Sequence, residues 1–546
     1  MLDDLNCLIV NVTLIIRQSN SLTILKKNLM VKYDALVIGS GFGGSISANK
    51  LTKAGLKVAM IERGPWRDTL PTRSAGIRKT SSLPSGLNVF TKLVRSITVP
   101  FLKNTIVTNK KGLYDVYTGK GFTIMCSSCV GGGSNVYTAL HNKPSDPNYW
   151  ETVSKHTKGG ALEPHYADCM KKMGSRFIKK SDEVPNRTDF EDKEIFGLNR
   201  KKLPIKMGLL FPEKTGAPKE RTDKNGITRK ETSYGDDSLF GSFDGSKTTL
   251  DVAYLYECIE RGMQLYDMME AFAIYQLDYP EGTKDKPRYR VDCIDHETGK
   301  RRSIFADSIF LGAGMFNTLK LLAKSSMKYK GLNPIPNLGK GISGNADYVA
   351  YWAKSDKDKN YYQAPPAHGP LFMKQRPKSP LFIDVGLAFL DRVPILNWLK
   401  RRTKRHTLLV GMGKDESNGE FTYKNGKIRI HYDTAKNPVF EEMEACRKEL
   451  SEYSKSPIRK FPLNLTVHPF GGARIGDDPN YGVVNGLGEM HTSPGLYVVD
   501  GSVFPKSIAA PPSMSIAAWA GHVAEHFIKN RKKSEPIIET AILEHV

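Results

Sequence analysis

The chain has 546 residues, 40% of them hydrophobic and 25% charged, which suits two or more domains with sizeable cores and excludes a disordered or fibrous chain. Lysine and arginine number 80 against 57 aspartate and glutamate, a formal charge of +23. The basic residues are scattered and no nucleic-acid-binding module accompanies them, so no nucleic acid partner is expected; a basic surface or attraction to an anionic membrane accounts for the charge. Seven cysteines (Cys7, Cys126, Cys129, Cys169, Cys258, Cys293 and Cys446) are too sparse for a disulfide framework and suit a reducing, cytoplasmic compartment.

Residues 8–16 are apolar but interrupted by Asn11 and Thr13. Asp3 and Asp4 precede them and no small-residue cleavage site follows, so they do not read as a signal peptide, and they are too short to span a bilayer. Residues 1–30 are read as an extension, with Met30 the expected start of the working chain. No later segment is a membrane-span candidate, which leaves a soluble or peripheral protein.

Residues 33–64 read as strand, glycine turn, helix, strand. Residues 35–38 are a short apolar run, and Gly39, Gly41 and Gly44 follow it as G-x-G-x-x-G, with Phe42 and Gly43 inside the turn. Gly39 permits the tight turn, Gly41 lets a pyrophosphate approach the backbone, and Gly44 allows close packing of helix on strand. The helix N-terminus offers that pyrophosphate free N–H groups and a partial positive charge. Residues 57–61 form a second strand, and Glu62, 18 residues beyond Gly44, stands where an acid takes both ribose hydroxyls. This is an adenine-dinucleotide unit; Glu62 argues against a 2′-phosphate, hence against NADP, and the motif is common to FAD and NAD sites.

Residues 65–120 carry breakers and many basic residues and read as loops with short elements. Gly131, Gly132 and Gly133, flanked by apolar residues, form a loop on which backbone can lie against a planar ligand. Within the same stretch Cys126 and Cys129 form C-x-x-C; with no second such pair a zinc site is not expected, and the thiols are either redox-active or, more simply, packed and unreactive. Residues 162–174 read as an amphipathic helix ending at glycine, 175–245 as a polar excursion, and 248–260 as a helix. Segments 271–277, 288–293 and 303–311 read as a small antiparallel sheet ending in a second strand–glycine turn–helix at residues 308–322, with Gly312 and Ala313 in the turn. Residues 346–463 form another excursion with strands at 381–387, 407–412 and 427–432. Inside it, 396–406 pairs an apolar approach with a basic cluster, which reads either as an interfacial anchor or as a solvated loop.

The C-terminal block is the most specific. It comprises Thr466-Val-His-Pro-Phe-Gly-Gly-Ala-Arg-Ile-Gly476, a buried strand at 496–499 followed by Asp500 and Gly501, and a helix opened by Pro512. The N-terminus of that helix can stabilise negative charge on a bound ring.

This block resembles the glucose–methanol–choline (GMC) family of flavin oxidoreductases. The likeness extends to the G-x-G-x-x-G unit, the Val-Gly-Gly-Gly-Ser loop and the Leu-Gly-Ala-Gly turn. Residues 249–255 followed by that turn are most similar to the cholesterol oxidase branch. The resemblance covers the nucleotide half of the chain well and the substrate half poorly. It implies an α/β fold: a Rossmann-type FAD-binding domain with a second substrate-binding domain on a mainly antiparallel sheet. The expected division is residues 31–66, 245–345 and 464–532 for the FAD domain, 67–244 and 346–463 for the substrate domain, and 533–546 as a tail.

By position, the resemblance assigns Gly39, Gly41, Gly44 and Glu62 to the ADP half of FAD, and Phe42, Gly43, Gly312 and Ala313 are also expected to bind the cofactor. It places Gly132, Gly133, Ser134 and Asn135 by the isoalloxazine, Asp500 and Gly501 by the ribityl chain and pyrophosphate, and Met514 near the pyrimidine end of the ring. His468 matches the histidine facing flavin N5, and neutral imidazole suits a base for a hydroxyl proton. Two departures stand out. The family has Asn or His where this chain has Pro511, so Asn464, Asn485 or a water is expected to substitute. The glutamate of steroid-isomerising members aligns near Thr403, where no acid occurs, so isomerase activity is not carried over.

The resulting expectation is FAD-dependent oxidation of a lipophilic alcohol, sterol-like or long-chain, by hydride transfer to flavin N5 with His468 as base and no metal. Oxygen, a quinone or another protein serves as electron acceptor, and membrane contact would be peripheral. Pro511 motivates an alternative, a flavin dehydrogenase or reductase acting on a carbon–carbon bond of a lipid. A non-enzymatic flavin-binding, membrane-associated protein is a third reading.

Overall fold

The computed structural model describes residues 11–18, 21–28, 31–99, 105–178, 206–213, 216–235, 239–280, 286–354, 358–363, 370–372 and 380–534. Met30, Cys7, residues 179–205 of the expected polar excursion and most of the expected tail lie outside them. Asn11–Gln18 and Ser21–Asn28 pair as an antiparallel two-stranded sheet of their own.

An eight-stranded sheet organises the nucleotide half. Its order is Gln264–Tyr266, Val58–Ile61, Lys32–Ile38, Arg301–Leu311, Tyr289–Asp295, Met269–Gln276, with Ser493–Val498 also pairing onto Arg301–Leu311 and Glu489–Met490 onto Ser493–Val498. Lys32–Ile38 is parallel to both Val58–Ile61 and Arg301–Leu311. These central strands carry near-continuous apolar runs because both faces are covered. The helix Phe42–Lys53 and the C-terminal helix Ser513–Ser534 pack on one another over that sheet.

The three strands ending at Leu311 pair antiparallel as expected, and their sheet is continuous with the parallel one. Arg301–Leu311 is long enough to serve two ladders: residues 301–306 pair antiparallel with Tyr289–Asp295, and 309–311 pair parallel with Ser493–Val498. Eleven residues exceed what either neighbour alone can pair, so the meander fuses with the parallel sheet. The segment at 248–260 is helical as expected, but Asp251–Leu255 is a π-turn before the α-helix Tyr256–Glu260.

The second domain's main sheet has five strands in the order Pro370–Phe372, Leu381–Val385, His406–Met412, Tyr348–Ala353, Ile458–Lys460, all antiparallel. Side chains alternate along each strand. Ala350, Trp352, Phe382 and Leu409 pack against Val439, Met443, Cys446 and Leu450 of the helix Val439–Tyr453. Their neighbours Val349, Ile383, Leu408 and Val410 point the other way, into a cavity shared with the nucleotide half. A further five-stranded sheet (Leu465–Thr466, Thr123–Ser127, Tyr114–Thr118, Val94–Thr98, Ile106–Val107) joins the two. Among the described residues no helix is long and apolar enough to cross a membrane.

Candidate active site

The carboxyl ends of three parallel strands, at Ile38, Ile61 and Leu311, lie side by side and lead into Gly39, Glu62 and Gly312. That edge is where open α/β sheets bind ligands. Gly39 has φ +95°, and a Cβ there would stand 2.4 Å from the Gly312 carbonyl oxygen. A Cβ on Gly44 would stand 1.8 Å from the Gly39 carbonyl oxygen. Both contacts are with backbone and have no room to relax. Gly41, Phe42 and Gly43 line a cavity of about 470 Å³, and the helix begins at Gly41 with no side-chain cap. Its free N–H groups therefore meet the cavity, the arrangement a pyrophosphate requires.

Glu62 also lines this cavity. It accepts from Ser40 N and Oγ at 3.0 and 2.7 Å and from Gly64 N at 2.8 Å. A carboxylate has about four lone-pair sites, so capacity is left for ribose hydroxyls. Beyond it, Arg63 pairs with buried Asp115 at 2.5 Å, and Glu270, Lys320 and Lys324 line the same wall. Burial alone would raise the Glu270 carboxyl; a hydrogen bond from His296 and the charges of Lys320, Arg63 and Arg95 outweigh it and hold it well below the usual range. Burial, reinforced by Lys320, brings Lys324 down to about 8.

Gly132, Gly133, Gly312, Ala313, Asp500 and Gly501 line the cavity as well. Asp500 is buried; its carboxylate accepts from Gly314 N, Ser502 N and the hydroxyls of Thr318 and Ser502, tying the second glycine turn to the C-terminal strand. Four expected cofactor residues stand behind the wall instead of in it. Gly44 packs on Gly39. Ser134 donates to Gly131 O and accepts from Leu250 N, while Asn135 donates to Val130 O, so both hold the glycine loop in shape. The Met514 side chain is fully buried in the core. Cys126 lines the cavity and Cys129 is buried, both as free thiols. Burial pushes both up to about 12, so neither is a thiolate at neutral pH.

His468 and Pro511 face the cavity at the boundary with the apolar chamber of the second domain. His468 Nδ1 lies 2.9 Å from Asp347 Oδ1. Asp347 Oδ2 accepts from Thr466 Oγ1 at 2.9 Å, Val467 N at 2.9 Å and His468 N at 3.2 Å. No described residue hydrogen-bonds to Nε2. The expected substitutes for a donor at 511 are engaged elsewhere: Asn464 donates to Gly121 O, and Asn485 accepts from Leu487 N and Glu489 N. Thr403 lies on a short helix, Asn397–Thr403, away from the cavity.

Asp347 was not among the residues expected from sequence. The available signal was its turn, Gly344-Asn-Ala-Asp347, rich in residues that tolerate left-handed backbone. Asn345 and Ala346 do adopt it, at φ 56° and 46°.

A dinucleotide cradle, a glycine loop and an imidazole beside an apolar chamber are parts that a flavin-dependent oxidoreductase acting on CH–OH groups requires. A family model described as GMC oxidoreductase matches residues 418–520. Cholesterol oxidases of Acinetobacter baumannii and Mycobacterium tuberculosis are 23% and 25% identical, over 89% and 90% of this chain and 93% and 90% of theirs. A long-chain-alcohol oxidase of Arabidopsis thaliana is 22% identical over 92% of this chain and 68% of its own length. The solved structure of a fungal aryl-alcohol oxidase has the same fold, with TM-score 0.55 and 13% identity over 92% of this chain and all of that one. The C-terminal block thus matches the GMC oxidoreductases, a family of flavoproteins, and the chain is similar to these alcohol oxidases over about nine-tenths of its length.

Proposed function

We propose that this chain oxidises the hydroxyl of a lipophilic alcohol, sterol-like or long-chain, with His468 as the base. The observation that carries the reading is an imidazole whose Nε2 has no partner among the described residues, set against a chamber walled by Val349, Ile383, Leu408, Val410 and Val467. A substrate recognised there offers one hydroxyl and much apolar surface. Bound FAD supplies the hydride acceptor. Gly39, Gly41, Glu62 and Asp500 would hold it. His468 Nε2 takes the hydroxyl proton, and the apolar walls exclude water from the reacting carbon. The names of the relatives, cholesterol oxidase and long-chain-alcohol oxidase, favour the same substrate class.

A peripheral membrane contact belongs to this reading. Leu396 and Trp398 are 66% and 55% exposed, and Lys400, Arg401, Arg402, Lys404 and Arg405 follow with no acid among them. This segment connects two strands that wall the chamber, so docking there on an anionic bilayer would bring lipid to its entrance. The six free cysteines among the described residues suit a cytoplasmic location.

The test is anaerobic flavin absorbance with cholesterol and 1-hexadecanol. Bleaching by one of them, lost in His468→Gln, is the expected result. A flavin that neither alcohol bleaches, yet an unsaturated or saturated lipid does, would move the chemistry to carbon–carbon bonds.

A further inference from the structure

Pro511 lines the same cavity as His468 and has no side-chain donor or acceptor to offer a substrate oxygen or an imidazole. The partner of His468 comes from a different part of the chain, 121 residues earlier. Asp347 is 6% exposed and receives four hydrogen bonds, every one of them from residues 466–468. Two, from Val467 N and His468 N, fix the backbone that carries the imidazole, one comes from the Thr466 hydroxyl, and the fourth fixes the ring.

The chemistry of that fourth bond is determined by its acceptor. An ionised carboxylate only accepts hydrogen bonds, so Nδ1 must carry the ring proton and Nε2 is left with a lone pair. That is the tautomer a base needs on the side facing the cavity. When Nε2 takes a proton, the adjacent carboxylate stabilises the imidazolium.

The support behind Asp347 is itself over-determined. Asp415, buried on the next loop, accepts from Ser343 Oγ, Gly344 N, Ala346 N and Tyr432 Oη, clamping the turn from below. Asn345 accepts from Ala509 N and donates to Ala510 O, joining the same turn to the residues just before Pro511. Asn345, Ala346 and Ala509 all sit at positive φ, at 56°, 46° and 50°. Left-handed non-glycine residues persist where the surroundings hold them, and they gather at functional sites.

We propose that Asp347 is the positioning residue of this site: it sets the Nδ1–H tautomer of His468, aims Nε2 at the substrate hydroxyl and steadies the charge that forms on proton transfer, a task to which Pro511 contributes nothing. The proposal rests on the reading of His468 as the base.

Two measurements on the FAD-loaded enzyme test it. The first is the ¹⁵N spectrum of histidine-labelled protein, with the His468 signals identified by their loss in His468→Gln. The proton is expected on Nδ1 in the wild type and on Nε2 in Asp347→Asn. A wild-type proton on Nε2 overturns the proposal without any substrate or any change at Asp347. The second is anaerobic flavin reduction by cholesterol or 1-hexadecanol. Asp347→Asn is expected to keep its flavin and its half-saturation within about 3-fold while the limiting rate falls at least ~100-fold. If His468→Gln abolishes reduction and Asp347→Asn does not slow it, the positioning role is wrong and the base stands. If His468→Gln reduces flavin at the wild-type rate, the base and its positioning residue fall together.

Discussion

Mild acid should loosen the seam between the C-terminal helix and the helix Glu163–Lys172, because each contributes a buried histidine to it. His165 and His522 have ring centroids 6.0 Å apart and nearly perpendicular planes, and both are buried. His522 donates from Nε2 to Gly486 O at 3.2 Å and lies over Trp519. Burial, with Lys50 adding for His165 and His526 for His522, lowers both from 6.5 to about 4. A lowered histidine stays neutral in the fold while the unfolded chain already binds a proton. Stability is therefore fully present above about pH 6.5 and is lost as pH falls toward 4. At about 1.4 kcal/mol per pH unit, the interval from 6.5 to 4.5 costs ~3 kcal/mol for each ring. Glu257 does not confuse that interval. Burial would raise it, but hydrogen bonds from Arg261, Lys172 and Asn49 prevail and hold it at about 2, so its loss begins only below about 4.5. His141, lowered by burial to about 3, has the same sign and adds a slope of its own, which a change at His522 leaves in place.

The assay is urea unfolding from pH 7 to 4.5 followed by tryptophan fluorescence, since Trp150 and Trp519 stack at 6.1 Å in this region. His522→Gln keeps an amide to donate to Gly486 O and removes one titrating ring. Its pH dependence should be shallower than the wild type by ~3 kcal/mol across the interval. An unchanged slope in His522→Gln, or wild-type stability that stays flat from pH 6.5 to 4.5, would refute the reasoning.

Further expectations are independent of that seam. Gly44→Ala places its methyl 1.8 Å from a backbone oxygen, so the purified protein should lose flavin absorbance about tenfold or more; retention of full colour would show that the turn relaxes. The pair Leu396→Ser and Trp398→Ser removes two exposed apolar groups, worth about 1.5–3 kcal/mol each when buried, and should cut sedimentation with phosphatidylserine vesicles at least tenfold. Wild-type protein that stays in the supernatant at low salt would end the membrane reading. Cys126→Ser with Cys129→Ser should leave the rate of flavin reduction unchanged, because burial keeps both groups as thiols; a slowed rate would return them to the redox chemistry.

The nucleotide unit was legible in the sequence because its parts are neighbours along the chain. Strand, glycine turn, helix, second strand and Glu62 fall within residues 33–64, and the sterics of Gly39 and Gly44 are local to that turn and the one it touches. The C-terminal strand and helix were readable for the same reason. The apolar periodicity of residues 381–387 and 407–412 announced strands, but it did not say which of two alternating faces would meet a helix and which a cavity. That choice was made by the helix Val439–Tyr453 covering one face. Nor did period-two patterning reveal that Arg301–Leu311 would serve two ladders at once. The sharpest difference is at the base. His468 stood in a recognisable motif, whereas its partner Asp347 lay far away in a turn that looked like any other. A hydrogen bond between residues 121 positions apart leaves no spacing to read; it exists only once the sheets have packed and brought the two loops to within 3 Å, so the tautomer of the imidazole is a property of the tertiary fold.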